Sequence, residues 1–193
     1  INQASNCNNG TFKLDFQVPL VIANFTTNDI NGCAPLTVNF TNESEGTFYL
    51  WDFGDNDTTS LIYNPSHTFT TPGTYTVNLY VVDSARCNIA DTASTVVTVH
   101  PVPNAQAIAA TQICSNTFDF TNASSGANGL QYYWDFGDNT SSGLTNPSHT
   151  YTSNGTYTVA LNVTSDMGCE DSIKFPVQLT LIPDSIGIGA VYC

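Results

Sequence analysis

One aromatic, acidic and histidine-bearing pattern is written twice in this chain. WDFGDN followed by NPSHTF spans residues 51–69, and WDFGDN followed by NPSHTY spans 134–151. The two tryptophans lie 134 − 51 = 83 residues apart, and the two histidines 149 − 67 = 82. The run TYTVNLYVVD at 74–83 is answered by TYTVALNVTS at 156–165. A unit of this length is too long for a solenoid repeat and suits a small β-sandwich domain. The doubling therefore asks one question of every residue in it: does it belong to two copies of a site, or to two copies of a fold?

The cysteines follow the same period. Cys33 and Cys87 are 54 residues apart, and Cys114 and Cys169 are 55 apart, at matching places in the two copies. Cys7 precedes Cys87 by 80 residues, and Cys193 follows Cys114 by 79. Cys7 thus takes the place of the second cysteine of a preceding unit, and Cys193 that of the first cysteine of a following one. Six cysteines can pair in many ways; the repeat selects Cys33–Cys87 and Cys114–Cys169, leaving Cys7 and Cys193 without partners in their own chain. Neither a Cys-x-x-Cys pair nor a Cys/His metal spacing is present. Paired cysteines imply an oxidising compartment, extracellular or periplasmic.

Between these landmarks the hydrophobic period is two. Tyr75, Val77, Leu79 and Val81 point one way, and Thr76, Asn78, Tyr80 and Val82 the other. In the second copy Tyr157, Val159, Leu161 and Val163 point inward, with Thr158, Ala160, Asn162 and Thr164 outward. Pro72-Gly73 and Asn154-Gly155 supply the turns before these strands. Further strands are predicted at 36–42, 47–53 and 91–100, and at 117–123, 130–136 and 171–182. No segment sustains a helical period, so the fold class is all-β. Prolines mark the joins. The predicted domains are 24–100 and 104–182, with a short Pro-rich linker at 101–103. Residues 1–23 are expected to be the closing strand segment of a preceding unit, and 183–193 the start of a following one. Short links stiffened by proline favour an extended rod. Segment 1–23 is expected to pair with a preceding domain, in the same polypeptide or in an identical neighbouring subunit.

Charge narrows the partners. Sixteen acids against three Lys and Arg give a net charge of −13, yet only 10% of residues are charged. A nucleic-acid surface needs clustered cations, so that class is excluded. No apolar run approaches the roughly 18 residues of a membrane span; Val18–Ile22 is interrupted by Pro19. The chain opens Ile1-Asn2-Gln3 without a basic and apolar leader. It reads as a processed product or a window on a longer chain.

The composite WDFGDN…NPSHTF…PGTYTVNLYVVD, repeated as WDFGDN…NPSHTY…NGTYTVALNV, closely resembles the polycystic kidney disease (PKD) domain. The resemblance implies an immunoglobulin-like β-sandwich, occurring in tandem in large bacterial surface proteins and as spacers beside the catalytic domains of secreted hydrolases. The cysteine pair within each domain resembles arrays in surface adhesins of Bacteroidetes. The expected role is a non-catalytic structural or adhesive segment of a secreted cell-surface or filament protein. The alternative is a spacer of a secreted hydrolase that touches polysaccharide or protein through Tyr49, Tyr63 and Tyr132. The expected partners are neighbouring PKD-like domains or identical subunits, with surface glycans or proteins as targets.

Within the doubled motif, Trp51 and Trp134 are expected to fill the cores, with Phe53 and Phe136 packing at the strand ends. His67 and His149 are expected to orient the glycine turn by hydrogen bonds. Asp52 with Asp55, and Asp135 with Asp138, could be read as acid/base pairs as in glycosidases. Their spacing of three residues around a glycine instead suggests carboxylates accepting turn amides. No cofactor is required by these residues, but a calcium site is a candidate. Asp52, Asp55, Asn56 and Asp57 offer hard oxygens, as do Asp135, Asp138 and Asn139, with Thr140 replacing the last acid. The resemblance adds that relatives in secreted collagenases bind calcium near the equivalent loop.

Asp-Ser/Thr motifs at Thr58, Ser84, Thr92, Ser172 and Ser185 resemble O-glycosylation sites of Bacteroidetes, and Asn24, Asn122 and Asn162 head N-sequons. Peptide mapping of unreduced protein should recover Cys33 linked to Cys87 and Cys114 linked to Cys169. Free thiols at Cys33 and Cys87 in native material would refute the assignment.

Overall fold

The computed structural model describes residues 20–56, 61–86, 88–109 and 115–180. The chain divides into two compact units, Ile1–His100 and Pro101–Cys193. The first unit carries β1 (Phe25–Thr27), β2 (Asn31–Cys33), β3 (Leu36–Asn42), β4 (Phe48–Asp52), β5 (Ser66–Phe69), β6 (Gly73–Val82) and β7 (Ala90–His100). The second carries β8 (Ala107–Ala109), β9 (Thr117–Asn122), β10 (Gln131–Asp135), β11 (Ser141–Ser142), β12 (Ser148–Thr150), β13 (Gly155–Thr164) and β14 (Glu170–Leu179). All described regular structure is strand, as the period of two demands.

Each unit is two sheets around one core. In the first, a sheet ordered β1-β3-β5 joins one ordered β2-β7-β6-β4; in the second, β12-β9-β8 joins β11-β10-β13-β14. Every pairing is antiparallel except β2 with β7, where Asn31–Cys33 run parallel to Thr98–His100. Pro176 lies on β14, an edge strand, where a missing N–H breaks no ladder.

The predicted inward sets form the cores. Trp51 packs with Val38, Phe40, Phe69, Val77, Leu79 and Val81, and Trp134 with Phe118, Phe120, Tyr151, Val159, Leu161 and Val163. Both indoles are fully buried. Trp134 Nε1 donates to Leu144 O at 3.0 Å. Among the described residues Trp51 Nε1 has no acceptor; in sequence, the stretch from Asn56 to Asn64 is one residue longer than that from Asn139 to Asn146.

Two sequence readings need correction. Residues 20–23, expected in a preceding unit, pack onto the first one. Val21 is buried in its core, and Ile22 exchanges both backbone hydrogen bonds with Glu45. Asn104, where the second domain was expected to begin, bridges Ser125, and Pro103 before it is buried. Val21 finds the core of the first unit to enter, which repeat spacing alone does not reveal. Ala160 was expected outward but is buried, because its methyl lies opposite Asp135 and Lys174 on the two flanking strands. Residues 1–19 and 181–193, with Cys7 and Cys193, lie outside the described residues.

Truncating either indole should cost its own unit about 3–5 kcal/mol, the usual effect of emptying a large buried aromatic site. Denaturant unfolding of Trp51→Ala and Trp134→Ala should each shift one transition of the tandem chain and leave the other in place.

Candidate functional site

The doubled motif gathers at one corner of each sandwich. After β4 the chain turns through Asp52-Phe53-Gly54-Asp55-Asn56, and after β10 through Asp135-Phe136-Gly137-Asp138-Asn139. Gly54 and Gly137 adopt φ of +77° and +78°. A Cβ at these positions would stand 2.5 Å from Thr76 O and 2.6 Å from Thr158 O, so only glycine fits. Asp52 Oδ1 accepts the Gly54 N–H at 3.0 Å, and Asp135 Oδ1 the Gly137 N–H at 2.9 Å. These carboxylates build the turn.

The second acid of each turn reaches the opposite sheet. His67 Nε2 bonds Asp55 Oδ2 at 2.6 Å, and His149 Nε2 bonds Asp138 Oδ2 at 2.7 Å. Each imidazole lies flat on the turn phenylalanine, with centroids 4.1 Å apart at Phe53 and at Phe136. Its other side meets an aromatic edge, Phe69 at 4.7 Å in one unit and Tyr151 at 4.5 Å in the other. The histidine sits on β5 or β12 of the three-stranded sheet and the acid follows β4 or β10 of the four-stranded one. The contact is therefore a latch between sheets.

This arrangement leaves little for catalysis. Each described acid of the motif is engaged by a turn amide or an imidazole. Calcium fits poorly in the second copy. Asp138 also accepts Thr140 N at 3.1 Å and Thr140 Oγ1 at 2.5 Å, so a cation would have to displace those donors and His149. Asp57 and Thr58 of the first copy lie outside the described residues. Among the described residues no three His, Cys, Asp or Glu side chains are grouped as metal ligands.

Burial opposes ionisation of the Asp138 carboxyl, but hydrogen bonds from Thr140 and His149 outweigh it and hold it below the ordinary carboxylate range. Burial, then the charge of Asp138, pushes the Tyr151 phenol well up. That phenol donates to Phe136 O at 2.9 Å, so it stays neutral and braces the same turn.

The other predicted positions separate. Cys33 and Cys169 are each disulfide-bonded; Cys87 and Cys114 lie outside the described residues. Ser84, Thr92 and Ser172 are exposed, and Ser185 is outside the described residues. The acids before Thr92 and Ser172 have another use, however: Asp91 Oδ2 accepts Ala23 N and Asp171 Oδ2 accepts Ala105 N, both at 2.8 Å. Asn162 is exposed, whereas Asn24 bonds Glu43 and Asn122 accepts Ser124 N–H. Tyr49 and Tyr132 pack against the cores, whereas Tyr63 and Tyr133 are exposed, as are Phe48 and Tyr80.

Sequence reasoning missed two repeated structural residues. Asn64 Oδ1 accepts Asn42 N–H and Asn146 Oδ1 accepts Asn122 N–H, both at 2.8 Å. The Asp91/Asp171 pair is the other. Their signal was present, since each recurs at the repeat period in a chain where most loop residues do not.

The outer face of the larger sheet differs between units. Across β4, β6 and β7 the first unit sets Phe48, Val82 and Ala90 in one row and Leu50, Tyr80 and Thr92 in the next. Phe48, Tyr80 and Val82 are 51%, 39% and 38% exposed. The second unit has Gln131, Thr164 and Glu170, then Tyr133, Asn162 and Ser172.

A family model described as the PKD domain matches the chain twice, at residues 18–99 and 98–180. Among solved structures, the PKD1 domain of Vibrio anguillarum Epp is 33% identical, with a TM-score of 0.39, and the match covers 42% of this chain and 95% of that one. The PKD1 domain of the Vibrio cholerae metalloprotease PrtV is 30% identical, with a TM-score of 0.38, covering 40% of this chain and 96% of that one.

The latch has a pH signature. The folded Asp138 value lies below its value in the unfolded chain, so its contribution is complete above the ordinary carboxylate value, about 4, and is lost as pH falls through the folded value. Thermal melts from pH 6 down to about 2 should therefore show the second unit losing stability in acid. Asp138→Asn should flatten part of that decline, and an unchanged acid limb in the variant would contradict the latch.

Proposed function

The chain belongs to the PKD domain family, and from that premise we propose that it is a non-catalytic structural and adhesive segment of a secreted surface or filament protein. The observation that carries this reading is the employment of the doubled motif. Its described tryptophans, histidines and acids are spent twice over on holding a sandwich together, at the same distances in both copies.

The disulfide-bonded state of Cys33 and Cys169 supports bridges to Cys87 and Cys114 and an extracellular setting. Each bridge would stabilise its unit by ~4 kcal/mol in the chain-entropy model. No helix among the described residues is long and apolar enough to cross a membrane, which says nothing of a β-barrel. The exposed rings of Tyr63 and Tyr133 favour a second reading, a polysaccharide-contacting spacer of a secreted hydrolase.

Assays of the tandem chain on protein and polysaccharide substrates should give no turnover. Asp55→Asn should lower the stability of the first unit and create or remove no activity. Turnover abolished by that substitution would overturn the structural reading. Titration with soluble polysaccharide, read by heat and repeated with Tyr63→Ala and Tyr133→Ala, tells the spacer from the rod: binding lost in the variants favours the spacer.

A further inference from the structure

The segment leading into each unit is held as a strap, and the two straps share one plan. Ile22 or Asn104 exchanges backbone bonds with Glu45 or Ser125; Ala23 or Ala105 donates to Asp91 or Asp171. Asn24 N donates to Ser44 Oγ, and Gln106 N to Ser124 Oγ. Glu43 N and Ala123 N complete the match by donating to Asn24 O and Gln106 O.

Among the described residues, the backbone of the first strap then has three bonds more. Asn88 Oδ1 accepts Val21 N–H at 2.7 Å while its Nδ2 donates to Val21 O at 2.9 Å, as a neighbouring strand would. Arg86 Nη1 donates to Leu20 O at 2.6 Å. The second unit lacks the means for these bonds. Its chain runs from Cys169 to Asp171 in two steps where the first takes four from Cys87 to Asp91, so no residue stands at the place of Asn88. Gly168 takes the place of Arg86, and Pro103 that of Val21. Proline has no N–H to leave unsatisfied, so the second strap can be buried without the clamp.

The geometry also says where tension would act. The strap meets its unit beside Asp91 or Asp171, at the start of β7 or β14, and the chain leaves from the far end of that strand. A pull along the chain loads the ten-rung ladder of β6 with β7, or of β13 with β14, along its length. The strap resists peeling through its few bonds and the burial of Val21 or Pro103.

We propose that the two straps form a graded pair: the strap at 102–106 opens before the one at 20–24, making the approach to the second unit the segment that yields first. The role this would have in a chain under tension rests on the structural reading above; the order of opening does not.

Amide hydrogen exchange on the intact tandem chain tests the order, since Ala23 and Ala105 donate to equivalent aspartates. After correction for intrinsic rates, Ala105 should exchange at least about tenfold faster, because each extra hydrogen bond contributes a factor of roughly two to ten. Asn88→Ala with Arg86→Gln should raise exchange at Ala23 to near that of Ala105 and leave Ala105 unchanged. Asn88→Ala alone, the milder variant, should fall between. Equal protection of the two alanines in the natural chain, or no response of Ala23 to either variant, overturns the proposal. In an optical trap, Asp171→Asn should lower the force of first yielding and Asn88→Ala should not; the reverse also overturns it. None of these readouts depends on adhesion or secretion, so their failure would leave the structural reading standing.

Discussion

The fold of each unit depends on a contact between an imidazole and a carboxylate that lie on different sheets. A β-sandwich buries its faces well but has no covalent or ladder connection across the gap at a corner. Here the corner is closed by His67 on Asp55 and by His149 on Asp138, with the ring pressed between two aromatic groups. Partial burial strengthens the hydrogen bond and makes an unpaired group there costly. The turn must therefore hold its shape, and that requirement explains its other residues. Glycine is needed where a Cβ would strike a strand carbonyl, and the first aspartate is needed to hold the glycine N–H. A cluster of acids and a histidine, which on paper resembles machinery for chemistry, is the fastening of a scaffold.

The two copies show which parts of that scaffold are fixed. The latch and the strap aspartate recur with nearly the same geometry, and both indoles are fully buried. Around them the copies have drifted in compensated steps. The first unit has two extra residues before β7 and uses one of them, Asn88, to satisfy Val21; the second drops both and places a proline where the valine was. The outer sheet face has drifted without such compensation: apolar rows in the first unit stand against polar ones in the second. A residue that drifts freely on an exposed face is not needed for folding, so differences there bear on what each unit touches.

Much of this was legible in the sequence because the repeat acts as its own control. Strand positions, inward sets and the roles of Trp51, Trp134, His67 and His149 follow from a period of two and from residues kept at fixed offsets. The short strands β1, β2, β5, β8, β11 and β12 were not legible, since two to four residues carry no period. The polar residues of the straps were missed for a related reason. Asp91 and Asp171 act on alanines 68 and 66 residues away, and no local pattern marks such a partner.

By itself the sequence determined that this chain is two tandem copies of one β-sandwich, because periodicity and residue spacing are properties of the chain alone. Only the tertiary structure decided what the doubled acids do and where each unit begins. A carboxylate's role is set by the donor it meets, and those donors arrive from the opposite sheet. The unit boundary is set by which core takes in Val21 or Ala105, and burial exists only once the sheets have closed.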